Sequence, residues 1–348
     1  MKVVIANVQT PFVRGGAEVL AESLLGALQE AGHHGEVVTM PFKWYPAARI
    51  LDAMLAARLM EVDEWCGGPI DRLIGLKFPA YLMRHPHKML WLLHQYRGAY
   101  DLWGTEIGDL SNAPDGRHVR EAIRLADNEL LSECRSIFTI SRNVSDRLQR
   151  FNGIASRPLL HPPPGAQRFH ALPAEDFLFC PGRINESKRQ HLVVEAMILC
   201  REPVRVVFTG VTDAADYAVA IHRRGMEAGL GDRVEWRGSV DEEQKIALYA
   251  RCLGVVVPPV DEDYGYVTLE AMLSCKPVLT CADSGGPLDF VLDGDTGSIA
   301  AAEPAALAEA MDHLWRDRAR ARSMGLAGRE RYRTLGLDWT GVLEQLLA

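Results

Sequence analysis

The stretch Val255-Val256-Val257-Pro258-Pro259-Val260-Asp261-Glu262-Asp263-Tyr264-Gly265-Tyr266-Val267-Thr268-Leu269-Glu270-Ala271-Met272 reads as an apolar strand, a loop and a helix in direct succession. The loop carries one carboxylate, Glu262, and the helix carries a second, Glu270, eight positions on. An ionised carboxylate is a pure acceptor and can take two O–H donors at once. Two of them placed this way suit a ligand rich in hydroxyls, such as a sugar or a ribose.

The same alternation extends outward in both directions. Toward the amino end, 177–180, 204–209 and 233–236 read as strands, followed by helices at 190–200, 215–229 and 242–251. Toward the carboxyl end come a strand at 278–281 and helices at 304–315 and 319–335. Upstream, His161-Pro162-Pro163-Pro164-Gly165 ends any regular element. Before that breaker lie strands at 3–6, 36–40, 73–76, 89–93 and 136–140, with helices at 17–31, 47–62, 117–133 and 143–150. Strand–helix alternation implies parallel sheets covered by helices on both faces. The expected fold class is therefore α/β, with two facing Rossmann-like domains at 1–165 and 174–336 and a cleft between them. A last helix, about 337–348, is expected to pack back on the first domain. In such sheets ligands bind at the carboxyl ends of the strands.

Bulk properties narrow the function. The 348 residues suffice for two full cores, and 48% hydrophobic with 24% charged is ordinary for a globular protein. A formal charge of −8 argues against a nucleic-acid binder, which needs a basic face. The seven cysteines (Cys66, Cys134, Cys180, Cys200, Cys252, Cys275 and Cys281) show no C-x-x-C spacing and fit reduced thiols in a cytoplasmic protein. The opening apolar run is too short for a signal peptide's core and reads as a first strand. No stretch approaches the roughly 20 apolar residues of a membrane span.

Several loops are suited to an anionic ligand. Thr10-Pro11-Phe12-Val13-Arg14-Gly15-Gly16-Ala17-Glu18 leads from the first strand into a helix. Paired glycines there let an anion reach backbone amides and the positive end of the helix, although a plain turn has the same sequence. It is not the G-x-G-x-x-G of dinucleotide enzymes, so a nicotinamide dehydrogenase is disfavoured. In Cys180-Pro181-Gly182-Arg183-Ile184-Asn185-Glu186-Ser187-Lys188-Arg189, two cations bracket a strand-to-helix turn. Arg183 and Lys188 could clamp a diphosphate, or form a solvated basic turn paired with Glu186. Gly285-Gly286 and Asp293-Gly294-Asp295-Thr296-Gly297 are further loops on the same sheet, each explicable as a turn.

Taken in register, Gly15-Gly16-Ala17-Glu18, Gly182-Arg183-x4-Lys188, Glu262-x7-Glu270 with Tyr264-Gly265, Lys276-Pro277-Val278, Ser284-Gly285-Gly286-Pro287 and Asp293-Gly294-x-x-Gly297 resemble the retaining nucleotide-sugar glycosyltransferases of family 4. These are the group 1 transferases, with the GT-B fold. The resemblance covers nearly the whole chain and is strongest from 177 to 297. It implies transfer of a sugar from a UDP- or GDP-sugar to a hydroxyl of an acceptor glycan or lipid-linked glycan, with anomeric configuration retained, in cell-surface polysaccharide or glycolipid assembly. By position, Glu270 would bind the ribose hydroxyls and Glu262 would face the transferred sugar. The amides of Asp263, Tyr264 and Gly265 would touch sugar hydroxyls and the β-phosphate. Arg183 and Lys188 would hold the diphosphate, and Gly15-Gly16 would close on it. The loop containing Gly238 and Val240 would seat the base. His94, ending the strand Met89-Leu90-Trp91-Leu92-Leu93, stands where the family has a histidine near sugar and acceptor. Gln95 follows it where the family pattern is His-Asp, a departure on the acceptor side.

No cofactor and no metal are expected. Asp261-Glu262-Asp263 has D-x-D form but lies late in the chain, and Arg183 with Lys188 can supply the positive charge. His85-Pro86-His87 has a proline between its imidazoles and no nearby carboxylate. The usual double displacement needs a nucleophile and an acid/base carboxylate, and no such pair is available. The resemblance implies front-face departure and attack instead, with a β-phosphate oxygen taking the acceptor's proton. The stretch 72–100 holds no Asp or Glu but contains Arg72, Lys77, Arg84, Lys88 and Arg97 with five aromatic residues. It suggests peripheral contact with an anionic surface at the inner face of the membrane, or else charges dispersed around buried strands. A GT-B-type epimerase or hydrolase and a non-catalytic sugar-nucleotide-binding subunit are the competing readings.

Overall fold

The computed structural model describes residues 1–12, 14–65 and 68–348. The chain folds as two compact units, one of 1–164 with 338–348 and the other of 165–337.

The first unit contains β1 (Lys2–Gln9), α1 (Gly16–Glu30), β2 (His34–Pro41), α2 (Ala48–Leu59), β3 (Glu64–Trp65), β4 (Gly68–Pro69), β5 (Arg72–Lys77), β6 (Lys88–His94), α3 (Gly116–Leu130), β7 (Ser136–Thr139), α4 (Arg142–Asn152) and β8 (Arg157–Pro158). Its parallel sheet has the order β2-β1-β5-β6-β7-β8. Strands covered on both faces read as unbroken apolar runs, and Ile5, Leu73, Ile74, Leu90, Trp91 and Leu92 are fully buried. The short edge strand β8 ends in a proline, which an edge tolerates.

The second unit contains β9 (Leu178–Pro181), α5 (Gln190–Leu199), β10 (Val206–Thr209), α6 (Ala215–Glu227), β11 (Val234–Trp236), α7 (Glu242–Arg251), β12 (Gly254–Val256), α8 (Tyr266–Leu273), β13 (Val278–Cys281), β14 (Gly297–Ala300), α9 (Pro304–Arg316) and α10 (Arg318–Thr334). Its parallel sheet runs β11-β10-β9-β12-β13-β14. The chain moves outward from β9 through β10 to β11, then returns to β12 on β9's other side. That reversal makes a switch point between β9 and β12, where the loops diverge and leave room for a ligand.

The helix α11 (Trp339–Leu347) belongs to the first unit. Its Trp339 ring lies 6.1 Å from Trp91 and 5.9 Å from His161, and Arg72 donates to Leu347 O at 2.8 Å.

The structure bears on two further points of the sequence reading. Of the two readings of 72–100, the structure shows charges dispersed around buried strands, with Arg84 exposed and Lys77 and Arg97 half-buried. Arg72 and Lys88 are buried, as are Phe78, Tyr81 and Trp91, because the segment forms two interior strands. Lys88 pairs with Glu133 at 3.1 Å, so the balancing acid comes from a distant part of the chain. The sequence reading also lacks β14. Asp293-Gly294-Asp295-Thr296-Gly297 is the turn that starts this strand, with Ile299 N donating to Asp293 Oδ1 at 2.9 Å. A Cβ on Gly297 would stand 2.1 Å from Val278 O, so only glycine lets β14 lie against β13.

Among the described residues no helix is long and apolar enough to cross a membrane. Among them, six cysteines (Cys134, Cys180, Cys200, Cys252, Cys275 and Cys281) are free thiols.

Candidate functional site

At the carboxyl end of β9 the chain turns through Gly182 and a single 3-10 turn, Glu186–Lys188, before α5. Asn185 caps that turn by accepting from Lys188 N at 3.2 Å. Arg183 is held by the strand next door. Ile184 N donates to Val211 O at 2.9 Å, and the Arg183 guanidinium pairs with Asp213 at 2.9 Å. The sequence offered Glu186 as the partner, but the β10 loop supplies Asp213 instead. This close approach needs Gly210, whose φ is 140° and whose added Cβ would sit 2.0 Å from Gly182 O.

At the end of β12 the loop 257–265 carries Glu262. Three sets of backbone hydrogen bonds fix it. Val260 N donates to Ser187 O at 2.7 Å, Asp261 N to Asp283 O at 2.9 Å, and Glu262 N to Ser284 O at 2.9 Å. Gly286 N donates back to Glu262 O at 2.6 Å. The Ser284-Gly285-Gly286-Pro287 segment therefore braces the Glu262 loop. A side chain on Gly286 would collide with Tyr264 O at 2.5 Å. Arg189 grips Asp283 bidentately at 2.8 and 2.7 Å, joining the Lys188 turn to the same brace. Arg189 and Asp261 hold φ of 53° and 43°, left-handed values that non-glycine residues rarely adopt away from over-determined sites.

These braces bring Lys188 and Glu262 together: Lys188 Nζ donates to Glu262 Oε2. A cation from the β9 turn and a carboxylate from the β12 loop thus meet at the switch point. Tyr264 is buried, edge-on to Tyr266 at 5.2 Å and to Phe290 at 5.4 Å. Its ring packs in the core.

Gly265, at φ 94°, caps α8 and starts the helix that carries Glu270. Glu270 is 6% exposed, and both of its oxygens have protein donors. Lys245 Nζ reaches Oε1 at 3.0 Å and Tyr249 OH reaches Oε2 at 2.6 Å. Both donors lie on α7, whose start is set by a capping box between Asp241 and Gln244. The sequence reading missed this pair. Its signal is the i, i+4 spacing of Lys245 and Tyr249 on the helix that follows the Gly238–Val240 loop. In that loop Gly238 has φ 64° and accepts from Gly210 N at 2.8 Å. Ser239 and Val240 line a cavity of about 530 Å³ with Phe177, Gln244 and Leu248, on the other side of α7 from Glu270.

In the first unit Gly15 is the N-cap of α1, and its amide donates to Glu18 Oε2 at 2.7 Å. Val13, beside this loop, lies outside the described residues. His94 ends β6, with Nδ1 2.5 Å from Gln95 O. Gln95 is buried and donates to Asn152 Oδ1 at 2.6 Å. Lys276, quoted above in Lys276-Pro277-Val278, is buried at the opposite end of its sheet and donates to Leu172 O at 3.2 Å, a structural contact. Among the described residues no three His, Cys, Asp or Glu side chains converge to hold a metal ion.

Residues 167–331 match the family model described as glycosyl transferases group 1. The alpha-1,3/1,6-mannosyltransferase ALG2 of Homo sapiens is 30% identical over 162 residues, covering 43% of this chain and 39% of that protein. The matched stretches span less than half the length of the curated relatives. Over the whole chain the fold is shared with sucrose-phosphate synthase of Thermosynechococcus elongatus, at TM-score 0.77, 19% identity and coverage of 99% of this chain and 97% of that one. It is shared too with HepE of Anabaena, solved in complex with UDP-glucose, at TM-score 0.72, 16% identity and coverage of 100% and 98%. The sheet order and the sequence match agree: residues 167–331 resemble the group 1 glycosyltransferases, and the chain has a GT-B fold.

Proposed function

We propose that the protein is a retaining, metal-independent glycosyltransferase that moves a sugar from a nucleoside-diphosphate sugar to an acceptor hydroxyl in polysaccharide or glycolipid assembly. The observation that carries this reading is the Lys188–Glu262 pair at the switch point between β9 and β12. The family match and the mannosyltransferase relative support the reaction class, and the UDP-glucose complex of HepE supports a UDP-sugar as donor.

In this reading Glu262 takes hydroxyls of the transferred sugar and Glu270 takes those of the ribose. The amides of Asp263, Tyr264 and Gly265 meet the sugar and the β-phosphate. Arg183 and Lys188 stabilise the diphosphate as it leaves. The bond between the anomeric carbon and the β-phosphate oxygen breaks, and the acceptor oxygen bonds to the same face of that carbon. The acceptor's proton passes to the β-phosphate oxygen. Ground-state pairing of Lys188 with Glu262 gives Lys188 a partner to exchange for the diphosphate when the donor binds. Gly15, Gly16 and His94 are assigned to the diphosphate and the transferred sugar, and Gly238 and Val240 to the base. The free thiols fit a reducing compartment, and the reaction is assigned to the cytoplasm. Membrane contact through 72–100 has no part in the reading, because Arg72 and Lys88 are interior.

A thermal-shift screen against UDP-, GDP- and ADP-sugars tests it, since a bound donor raises the melting temperature by mass action. One donor should stand out. The anomeric proton coupling of the product should then report retention. No shift with any donor, or an inverted product, overturns the proposal. Donor consumption at full rate without acceptor would instead mark an epimerase or hydrolase.

A further inference from the structure

We propose that Lys245 is a positioning residue that selects for the ribose diol of the donor, a role that rests on the assignment of Glu270 above. A carboxylate as buried as Glu270 needs charge pairing and hydrogen bonds. Lys245 and Tyr249 supply both, one on each oxygen, at 3.0 and 2.6 Å. A carboxylate offers about four lone-pair sites, so about two remain, one on each oxygen. That remainder matches two adjacent hydroxyls, one per oxygen.

Lys245 is itself pinned. Its ammonium also meets Glu242 Oε2 at 3.1 Å and lies 5.7 Å from the centre of the Phe169 ring. Glu242, Lys245 and Tyr249 fall at i, i+3 and i+7, on one face of α7. The helix therefore presents a fixed ammonium and a fixed hydroxyl to Glu270, and α7 begins directly after the loop assigned to the base. Held this way, the carboxylate cannot rotate about its last torsion without breaking two hydrogen bonds. A ribose diol meets an acceptor pair already in place, which lowers the ordering cost of binding.

The contrast with a purely structural ion pair lies in what the ligand feels. A structural pair lost on substitution weakens every ligand of the pocket equally. A positioning pair weakens only ligands that carry the diol. The test is a thermodynamic cycle with UDP and GDP and their 2′,3′-dideoxy counterparts, by titration calorimetry on the full chain. Lys245→Met should weaken the preferred nucleotide about tenfold and its dideoxy form less than about twofold, since about 1.4 kcal/mol is tenfold. Lys245→Gln, which keeps an N–H donor without the charge, should fall between and guards against a folding defect, with both melting temperatures measured. Equal losses for the ribo and dideoxy forms, or no loss for either, overturn the positioning role. If the wild-type chain binds no nucleotide at all, the function proposed above fails and Lys245 falls with it.

Discussion

The polar cores of the two units make a comparison at the carboxyl ends of their sheets. In the second unit full charges join the segments that follow the strands: Lys188 with Glu262, Arg189 with Asp283, Lys245 with Glu270. In the first unit the segment after β6 rests on hydroxyls and amides around the buried Asp127, and on Asp101, which pairs with Arg97 at 2.6 Å and lies 3.7 Å from Arg147. Tyr81 and Tyr100 each donate to Asp127 at 2.7 Å, and Asn152 joins Gln95 to Tyr100. The charged clasp is partly open to solvent and so available for exchange with a charged ligand. The Asp127 network is buried and reaches Gln95, next to His94, through Asn152. In the proposed function the charged clasp trades its partners for a ligand and the Asp127 network keeps them.

The sharpest way to break that comparison is at Lys188. Lys188→Ala removes a cation assigned to the leaving diphosphate and should lower kcat by about 100- to 1,000-fold, the range seen when one transition-state donor is lost. Donor KM should change far less, because ground-state contacts remain. Steady-state kinetics with the donor found by thermal shift decide it, and an unchanged kcat removes Lys188 from the chemistry.

Asp127 tests the sealed side. Burial pushes its carboxyl up to about 6, with hydrogen bonds from Tyr100, Tyr81 and Gln95 pulling the other way. The folded chain then holds this proton more tightly than the unfolded chain does. The group favours the fold fully below about pH 4 and loses that contribution as pH rises through about 6, roughly 3 kcal/mol in all. Asp127→Asn keeps an acceptor for a tyrosine hydroxyl but cannot ionise. Relative to wild type it should gain about 3 kcal/mol between about pH 4 and about pH 7 in urea unfolding. Parallel stability curves would show that Asp127 does not titrate as a sealed acid.

This contrast also explains what was legible in the sequence. Arg183, Lys188, Glu262 and Glu270 could be found because glycines and charges cluster at predicted strand ends, and strand ends are local information. Their protein partners could not. Asp213, Lys245 and Tyr249 come from neighbouring crossovers, and only the fold brings them in. The same limit left two readings of 72–100 open. A run without acids looks like a basic surface, but Lys88 is interior and Glu133 is its counter-ion. The edge strand β14 was hidden because Gly297 serves at once as a turn residue and as a contact to Val278.

Tyr249 asks whether a neutral donor can matter inside the charged clasp. Tyr249→Phe deletes a hydrogen bond to a buried carboxylate, a class worth about 1.5–3 kcal/mol. The fold should lose about 2 kcal/mol in urea, and nucleotide binding should weaken about tenfold. Loss of stability with intact nucleotide affinity would make Tyr249 a packing residue only.

Asp213 carries the smallest expected effect and sets the limit of the charged region. Its pair with Arg183 is exposed on both sides, at 44% and 36%. Exposed pairs contribute about 0–1 kcal/mol, so Asp213→Asn should leave urea stability within about 0.5 kcal/mol. Asp213 also accepts from Asn185 at 3.1 Å, and an asparagine oxygen can keep that bond. What the substitution removes is a charge that competes with the donor for Arg183. Donor KM should therefore fall slightly, by less than about threefold, and more at low salt than at high salt. A rise in KM would mean that Asp213 aims Arg183 at the diphosphate instead of competing for it. The exposed edge of the clasp would then be as organised as its centre at Glu262.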